Sequence, residues 1–122
     1  MPGAPAELRR LIKRSEFLRA ARGERTGRSA FQLQAIASED AEPGIGFTVT
    51  KKVGNAPERN RIKRRLREAA RACEPGFKPR HDYVLVGRRD ALTIPFERLV
   101  GELAAAITKI HSSRAESLRD QK

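Results

Sequence analysis

Apolar positions along this chain recur with two different periods. Over residues 30–38 they alternate. Phe31, Leu33, Ala35 and Ala37 fall on one side, and Gln32, Gln34 and Ile36 on the other, the pattern of a half-buried strand. Over residues 45–50, Ile45, Phe47 and Val49 alternate with Gly46, Thr48 and Thr50. The segment between them carries acids, Pro43 and Gly44, which reads as a turn. The spacing therefore predicts an antiparallel pair. Its open face would present Gln32, Gln34, Thr48 and Thr50, bounded by Lys51 and Lys52. Residues 82–87 (DYVLVG) are almost wholly apolar, as in a central strand covered on both faces.

Elsewhere the period is helical. Ile62, Leu66, Ala69, Ala70 and Cys73 recur at one helical spacing. Asn55 is placed to cap that helix, Pro57 suits its first turn, and Glu58 stands three residues after the cap, as a capping box requires. Pro75 and Gly76 end it. Phe96, Leu99, Val100, Leu103, Ile107 and Ile110 form the stripe of a last helix, opened by Pro95 and ending near His111. A short first helix is predicted from a Ser15 cap to about Arg22, stopped by Gly23, with Phe17, Leu18 and Ala21 on its apolar face. Residues 22–29 read as a basic loop. Residues 1–7 read as a flexible N-terminal arm and residues 112–122 as a flexible C-terminal tail, leaving residues 8–111 as one domain. The fold class is α+β, a single-domain α/β sandwich in the order α-β-β-(β)-α-β-α.

Charge changes the picture most. Of 122 residues, 26 are Lys or Arg and 15 are Asp or Glu, a net of +11. Residues 7–28 hold eight Lys/Arg and three Glu, a net of +5, and residues 59–71 hold seven Lys/Arg and one Glu, a net of +6. The remainder is neutral. On the second segment, Asn60, Lys63, Arg64, Arg67 and Arg71 share one stripe opposite Ile62 and Leu66, with Arg59, Arg61 and Arg65 on its shoulders. Arginines spaced about a turn apart can follow a phosphate backbone with bidentate donors. Asn60 adds donors and an acceptor able to reach a base edge, a ribose hydroxyl or a metal-bound water. This chemistry points to nucleic acid.

Other classes fare poorly. No apolar run is long enough to span a membrane, and residues 1–14 lack the apolar stretch of a signal peptide. A cytoplasmic protein without a membrane partner is expected. Cys73 alone can form neither an internal disulfide nor a cysteine zinc cage, and reads as a small apolar packer. His81 reads as a loop residue and His111 as a helix end. With Asp82 and Asp90 they make no recognisable catalytic or metal constellation, so no catalytic residue is assigned.

The stretch over residues 50–64, TKKVGNAPERNRIKR, resembles the signature of the protein subunit of bacterial ribonuclease P: a strand ending in Lys-Lys, then Gly-Asn-Ala, then Arg-Asn-Arg leading a basic helix. RSEF at residues 14–17, FQL at 31–33 and HDYVLV at 81–86 are similar to that family's first helix, first long strand and the strand after the basic helix. The similarity covers roughly residues 8–110.

The resemblance implies a fold like the second domain of a small-subunit ribosomal protein, with a left-handed βαβ crossover. It implies a protein that leaves chemistry to a large RNA subunit with bound Mg2+, which removes the 5′ leader of precursor tRNA. The partners implied are that catalytic RNA, in a 1:1 complex with a monomeric protein, and the single-stranded leader. Lys51, Lys52, Arg59, Asn60, Arg61, Lys63, Arg64, Arg67 and Arg71 are then expected to contact RNA. No metal is expected to be held directly by the protein, Asn60 reaching Mg2+ through water. Phe17, Gln34, Thr48 and Thr50 are expected to line the leader cleft, with Phe17 able to stack on a base. Ala21 and Gln34 stand where the family often has aromatics, which shifts leader binding from stacking toward hydrogen bonds and charge; Pro57 replaces a more usual aliphatic residue at a first-turn helix position that tolerates it. A ribosomal or other structural RNA-binding protein without a processing role is the alternative that composition alone allows.

Overall fold

A computed structural model describes the backbone of residues 8–120 and side chains through residue 112. The predicted arm at residues 1–7 and the last two residues of the predicted tail lie outside the described residues. The elements are β1 (Arg9–Arg10), α1 (Arg14–Ala20), β2 (Glu24–Gly27), β3 (Phe31–Ala37), β4 (Gly44–Thr48), α2 (Ala56–Ala72), β5 (His81–Gly87) and α3 (Phe96–Asp120). Single 3-10 turns cover Lys51–Val53, Glu74–Gly76 and Arg89–Leu92.

The five strands form one mixed sheet in the order β1-β4-β5-β3-β2. The expected antiparallel pair of β3 and β4 does not form. β5 lies between them, antiparallel to β3 and parallel to β4. The apolar run of β5 explains this. A strand covered on both faces belongs in the middle of a sheet, and α2 carries the chain from β4 back to β5 as a βαβ crossover. Two strands were not foreseen. Residues 24–27, read as a basic loop, pair with β3 along their whole length. Arg9 and Arg10 pair in parallel with β4. Both are short edge strands rich in charge, the usual composition of a protected sheet edge.

One face of the sheet carries α2 and α3, and the other carries α1. The larger core lies on the α2/α3 face, where Phe31, Leu33, Tyr83 and Leu85 meet Ile62, Leu66, Leu99 and Leu103, all fully buried. Each buried aliphatic side chain there contributes about 1.5–3 kcal/mol. The helix predictions hold on this side. Asn55 Oδ1 accepts from the Glu58 amide at 2.9 Å, and Glu58 Oε1 accepts from the Asn55 amide at 2.9 Å. Gly87 lets α2 approach, because a methyl group there would stand 2.6 Å from Ile62 Cγ2. α3 buries Leu99, Leu103, Ile107 and Ile110 as predicted, while Phe96 stays exposed. Its backbone continues to Asp120, past the end expected near His111.

The α1 face has a smaller core of Leu11, Ala20 and Val84, flanked by Phe17, Ile36 and Val86. α1 starts at Arg14, with Lys13 rather than Ser15 as its N-cap. The Glu16 carboxylate accepts from the backbone amides of Lys13 at 2.9 Å and Ile12 at 3.1 Å, satisfying donors the first turn leaves open. A buried carboxylate anchors this face. Asp82, 3% exposed, pairs with Arg9 of β1 and with Arg19 of α1 at 3.6 Å. Arg9 also pairs with Asp40 at 3.3 Å and Glu16 at 3.6 Å. Part of the positive charge of residues 7–28 is thus structural.

Candidate nucleic-acid interface

The basic residues of α2 divide by what they touch. Arg65 turns back to the protein, donating to the Ala91 carbonyl at 2.6 Å and to the Ile94 carbonyl, and so pins the 3-10 turn before α3. Arg59 donates to the Gly54 carbonyl at 2.7 Å, bracing the loop that enters the helix. Arg89, outside the helix, pairs with Glu58 at 3.0 Å and donates to the Val53 carbonyl at 3.0 Å. These bonds and the capping box fix the N-terminal end of α2. They also hold the Glu58 carboxyl below its ordinary range, chiefly through the Asn55 amide and then Arg89.

The other cations face outward. Arg61, Arg64 and Arg71 are exposed and Lys63 is half-buried, none of them in an ion pair among the described residues. Arg67 is half-buried, with its guanidinium 5.8 Å from the centre of the Phe47 ring, a cation–π contact that orients it without neutralising it. Pro57, Asn60, Arg61, Lys63, Arg64 and Arg67 line a shallow depression of about 370 Å³. Lys51 and Lys52 sit exposed on the turn between β4 and α2. The predicted stripe of Asn60, Lys63, Arg64, Arg67 and Arg71 therefore stands as one cationic surface. Arg59 belongs partly, and Arg65 mainly, to the scaffold.

The α1 face of the sheet is less open than expected. Because β5 separates β3 from β4, Gln32 and Gln34 do not neighbour Thr48. Directly opposed residues share a face, and three rows cross the sheet. Gly44, Asp82 and Ile36 form one; Gly46, Val84, Gln34 and Arg25 the next; Thr48, Val86, Gln32 and Gly27 the last. α1 lies over the first two. Phe17 rests on Gly46, where a methyl group would stand 2.8 Å from its Cε1 and Cζ. Gln34 is buried, donating from Nε2 to Gln32 Oε1 at 3.1 Å. The third row is open, with Thr48, Val86 and Gln32 half-buried and Thr50 exposed just beyond. Of the four expected cleft residues, Phe17 forms a wall, Thr48 and Thr50 border the floor, and Gln34 lies beneath α1.

Two cations missed in the sequence border the same floor. Arg25 is exposed on β2 opposite Gln34. Arg88 follows Gly87, whose own face is the α2 side, so it projects to the α1 side. Its guanidinium nitrogens would lie 3.5 Å and 3.8 Å from a methyl group on Gly27, and it donates to the Arg28 carbonyl at 2.7 Å. Reading residues 24–27 as a strand rather than a loop would have found Arg25. The histidines also differ from expectation. His81 lies in β5, not a loop, with its ring 4.9 Å from that of His111. His111 Nε2 is 2.7 Å from the Tyr83 hydroxyl, which accepts from the Lys78 amide at 2.9 Å. Burial pushes the Tyr83 hydroxyl up to about 12. This cluster caps the α3 side of the core, away from the cationic helix face.

A family model described as Ribonuclease P matches residues 6–111. The ribonuclease P protein component of Ruegeria pomeroyi is 47% identical over 109 residues, covering 85% of this chain and 87% of that protein. The ribonuclease P protein component of Caulobacter vibrioides is 43% identical over 115 residues, covering 90% and 77%. Among solved structures, the RNase P protein of Staphylococcus aureus aligns with a TM-score of 0.70 at 25% identity, over 85% of this chain and 98% of that one. The RNase P protein of Thermotoga maritima shares the fold with a TM-score of 0.72 at 24% identity, over 83% and 96%. With its mixed five-stranded sheet, its Arg-Asn-Arg helix and a family match spanning nearly all the described domain, this chain belongs to the ribonuclease P protein component family.

Proposed function

We propose that this protein assists a catalytic RNA in removing the 5′ leader of precursor tRNA, binding the RNA subunit through the outer face of α2 and the leader across the open row of the sheet. Membership of the family makes it a protein component of a ribonuclease holoenzyme and sets aside the alternative of a ribosomal protein without a processing role. The observation that carries the finer reading is the juxtaposition of two surfaces. Uncompensated cations on α2 suit the phosphates of a folded RNA. Lys51 and Lys52 lead from them to an uncharged floor of Thr48, Val86 and Gln32, beside the ring of Phe17. Such a floor suits an unpaired strand, whose bases can stack on an aromatic and whose backbone meets flanking cations.

The division of labour follows from the side chains. The outward face of α2 presents Arg, Lys and Asn, which do not accept a proton near neutral pH, and a single exposed carboxylate, Glu68, on a helix without histidine; the chemical step is assigned to the RNA. Among the described residues no three His, Cys, Asp or Glu side chains gather as metal ligands. Asn60, exposed among Arg61, Lys63 and Arg64, fits an outer role. Its amide oxygen can hold a water of a hydrated Mg2+; the surrounding cations repel a bare dication, so the RNA phosphates would have to offset the ion's charge. When bound, the ion supplies charge neutralisation at the RNA interface.

The test is reconstitution. Purified protein is mixed with bacterial ribonuclease P RNA and labelled precursor tRNA at low Mg2+. No cleavage is expected from the protein alone, and strong stimulation of the RNA is expected when both are present. Cleavage by protein alone, or RNA turnover that does not change on adding protein, would overturn the proposal.

A further inference from the structure

We infer that the single-stranded binding track continues past the Phe17 cleft to the β2 edge of the sheet, where Arg25 and Arg88 hold phosphates of the distal leader. The inference rests on the leader-binding reading above and extends it to residues that reading does not use.

The geometry comes from the third row. Thr48, Val86, Gln32 and Gly27 lie on four neighbouring strands. At about 4.8 Å per strand the row spans roughly 14 Å. It runs across the strands, with Phe17 of α1 beside its β4 end and α1 packed on β5 and β3. Lys51 and Lys52 stand beyond its β4 end. Its β2 end closes on the Arg88 guanidinium, laid over Gly27, a position that accepts it because no side chain intervenes. Arg25 projects from the same face one row away. Both arginines are exposed, and neither has an ion pair among the described residues. The nearby acids are otherwise placed. Glu24 alternates to the opposite face of β2, and Glu102 is paired with Arg28 at 3.2 Å.

An uncharged, half-buried floor with cations at both ends fits a strand whose negative charge lies along its backbone. A compact anion would need only one end. A double helix is too broad for a row one strand-residue deep, flanked by a helix. Arg88 is also held in place, since its bond to the Arg28 carbonyl fixes the guanidinium while leaving donors free. Gln32, whose side-chain oxygen is occupied by Gln34, keeps its amide donors for a base or phosphate.

The experiment uses holoenzyme assembled from this protein and ribonuclease P RNA. Affinity is measured for precursor tRNAs whose leaders lengthen stepwise from one to about ten nucleotides. For the wild type, affinity should rise with leader length. Arg25→Ala and Arg88→Ala should each weaken long-leader binding by about two- to fivefold, the scale of an exposed ion pair, and the weakening should vanish for the shortest leaders. The slope of log affinity against log salt should fall by about 0.7 for each phosphate no longer neutralised. Arg25→Glu should weaken long-leader binding further. Arg98→Ala, an exposed arginine on α3, is the control and should leave every leader length unchanged. Arg25 makes no side-chain bond whose removal would disturb folding, and a thermal melt of Arg88→Ala separates a folding effect from a binding effect. Unchanged long-leader affinity in the Arg25 variants, or equal weakening at all lengths, overturns the inference while leaving the leader reading standing. A wild type with no length dependence overturns both.

Discussion

Arg64 and Arg65 are adjacent in sequence and alike in charge, yet the structure gives them opposite work. Arg64 is exposed on the outer face of α2 beside Arg67, whereas Arg65 donates to the Ala91 and Ile94 carbonyls. The double substitution Arg64→Ala plus Arg67→Ala removes two cations from the outer face of α2, the face proposed to meet RNA. With two fewer phosphates neutralised, the slope of log affinity against log salt falls by about 1.4–1.8. Stability should change little, because an exposed substitution costs within about 0.5 kcal/mol and the Arg67–Phe47 pair adds about 0.5–1 kcal/mol. Arg65→Ala instead breaks two charge-assisted bonds to carbonyls. Each is worth about 1.5–3 kcal/mol when well shielded, and the half-buried setting lets water replace part of that, leaving about 2–3 kcal/mol. In a chain of this size that lowers Tm by roughly 10 °C. The assay pairs filter binding to ribonuclease P RNA over a range of KCl, at a temperature where all variants are folded, with thermal melts. The expected pattern is a reduced slope with an ordinary Tm for the double variant, and an ordinary slope with a reduced Tm for Arg65→Ala. Equally reduced slopes in both would refute the assignment of Arg65 to the scaffold, and an unchanged slope in the double variant would refute direct contact by α2.

Asp82→Ala leaves Arg9 and Arg19 without their shared carboxylate. It should destabilise the protein by about 2–3 kcal/mol, less than a wholly buried pair because both arginines are partly exposed; urea unfolding would show it, and a change under about 0.5 kcal/mol, the range of an ordinary surface substitution, would contradict the anchoring role. Tyr83 is the one tyrosine and there is no tryptophan, so phenolate absorbance reports it alone. Its native midpoint should lie near 12 rather than 10. Since folding raises this pKa, the associated stability is complete below pH 10 and is lost as pH rises toward 12; Tyr83→Phe should abolish that alkaline decline. Glu16 and Glu58 have carboxyls held below their ordinary value, Glu16 mainly by the Lys13 amide and Glu58 mainly by the Asn55 amide. Their contribution is present above the unfolded value of about 4.5 and disappears as pH falls through the lowered folded values. Melts of Glu16→Gln plus Glu58→Gln against pH should show a shallower acid decline than the wild type, and identical curves would count against the two caps.

The chain by itself determined what depends on near neighbours. Asn55 and Glu58 stand three residues apart, so the capping box of α2 was legible, as was the stripe of Ile62, Leu66, Ala69 and Ala70. The cationic stripe was legible for the same reason, since helical period alone sets Lys63, Arg64, Arg67 and Arg71 opposite the core. The run over residues 82–87 signalled a central strand. Tertiary structure decided what depends on partners distant in sequence. Period-two alternation tells a strand which side chains share a face but not which strand lies beside it, so the seating of β5 between β3 and β4 was invisible. That seating moved Gln34 beneath α1 and opened the row from Thr48 to Gly27 instead. Charge counting has the same limit. An arginine reads alike whether it meets Asp82 across the sheet, as Arg9 and Arg19 do, or meets the carbonyls of Ala91 and Ile94, as Arg65 does, or faces water like Arg25 and Arg64. Only the folded chain, by supplying acceptors to some cations and none to others, separated those that hold the protein together from those left facing outward.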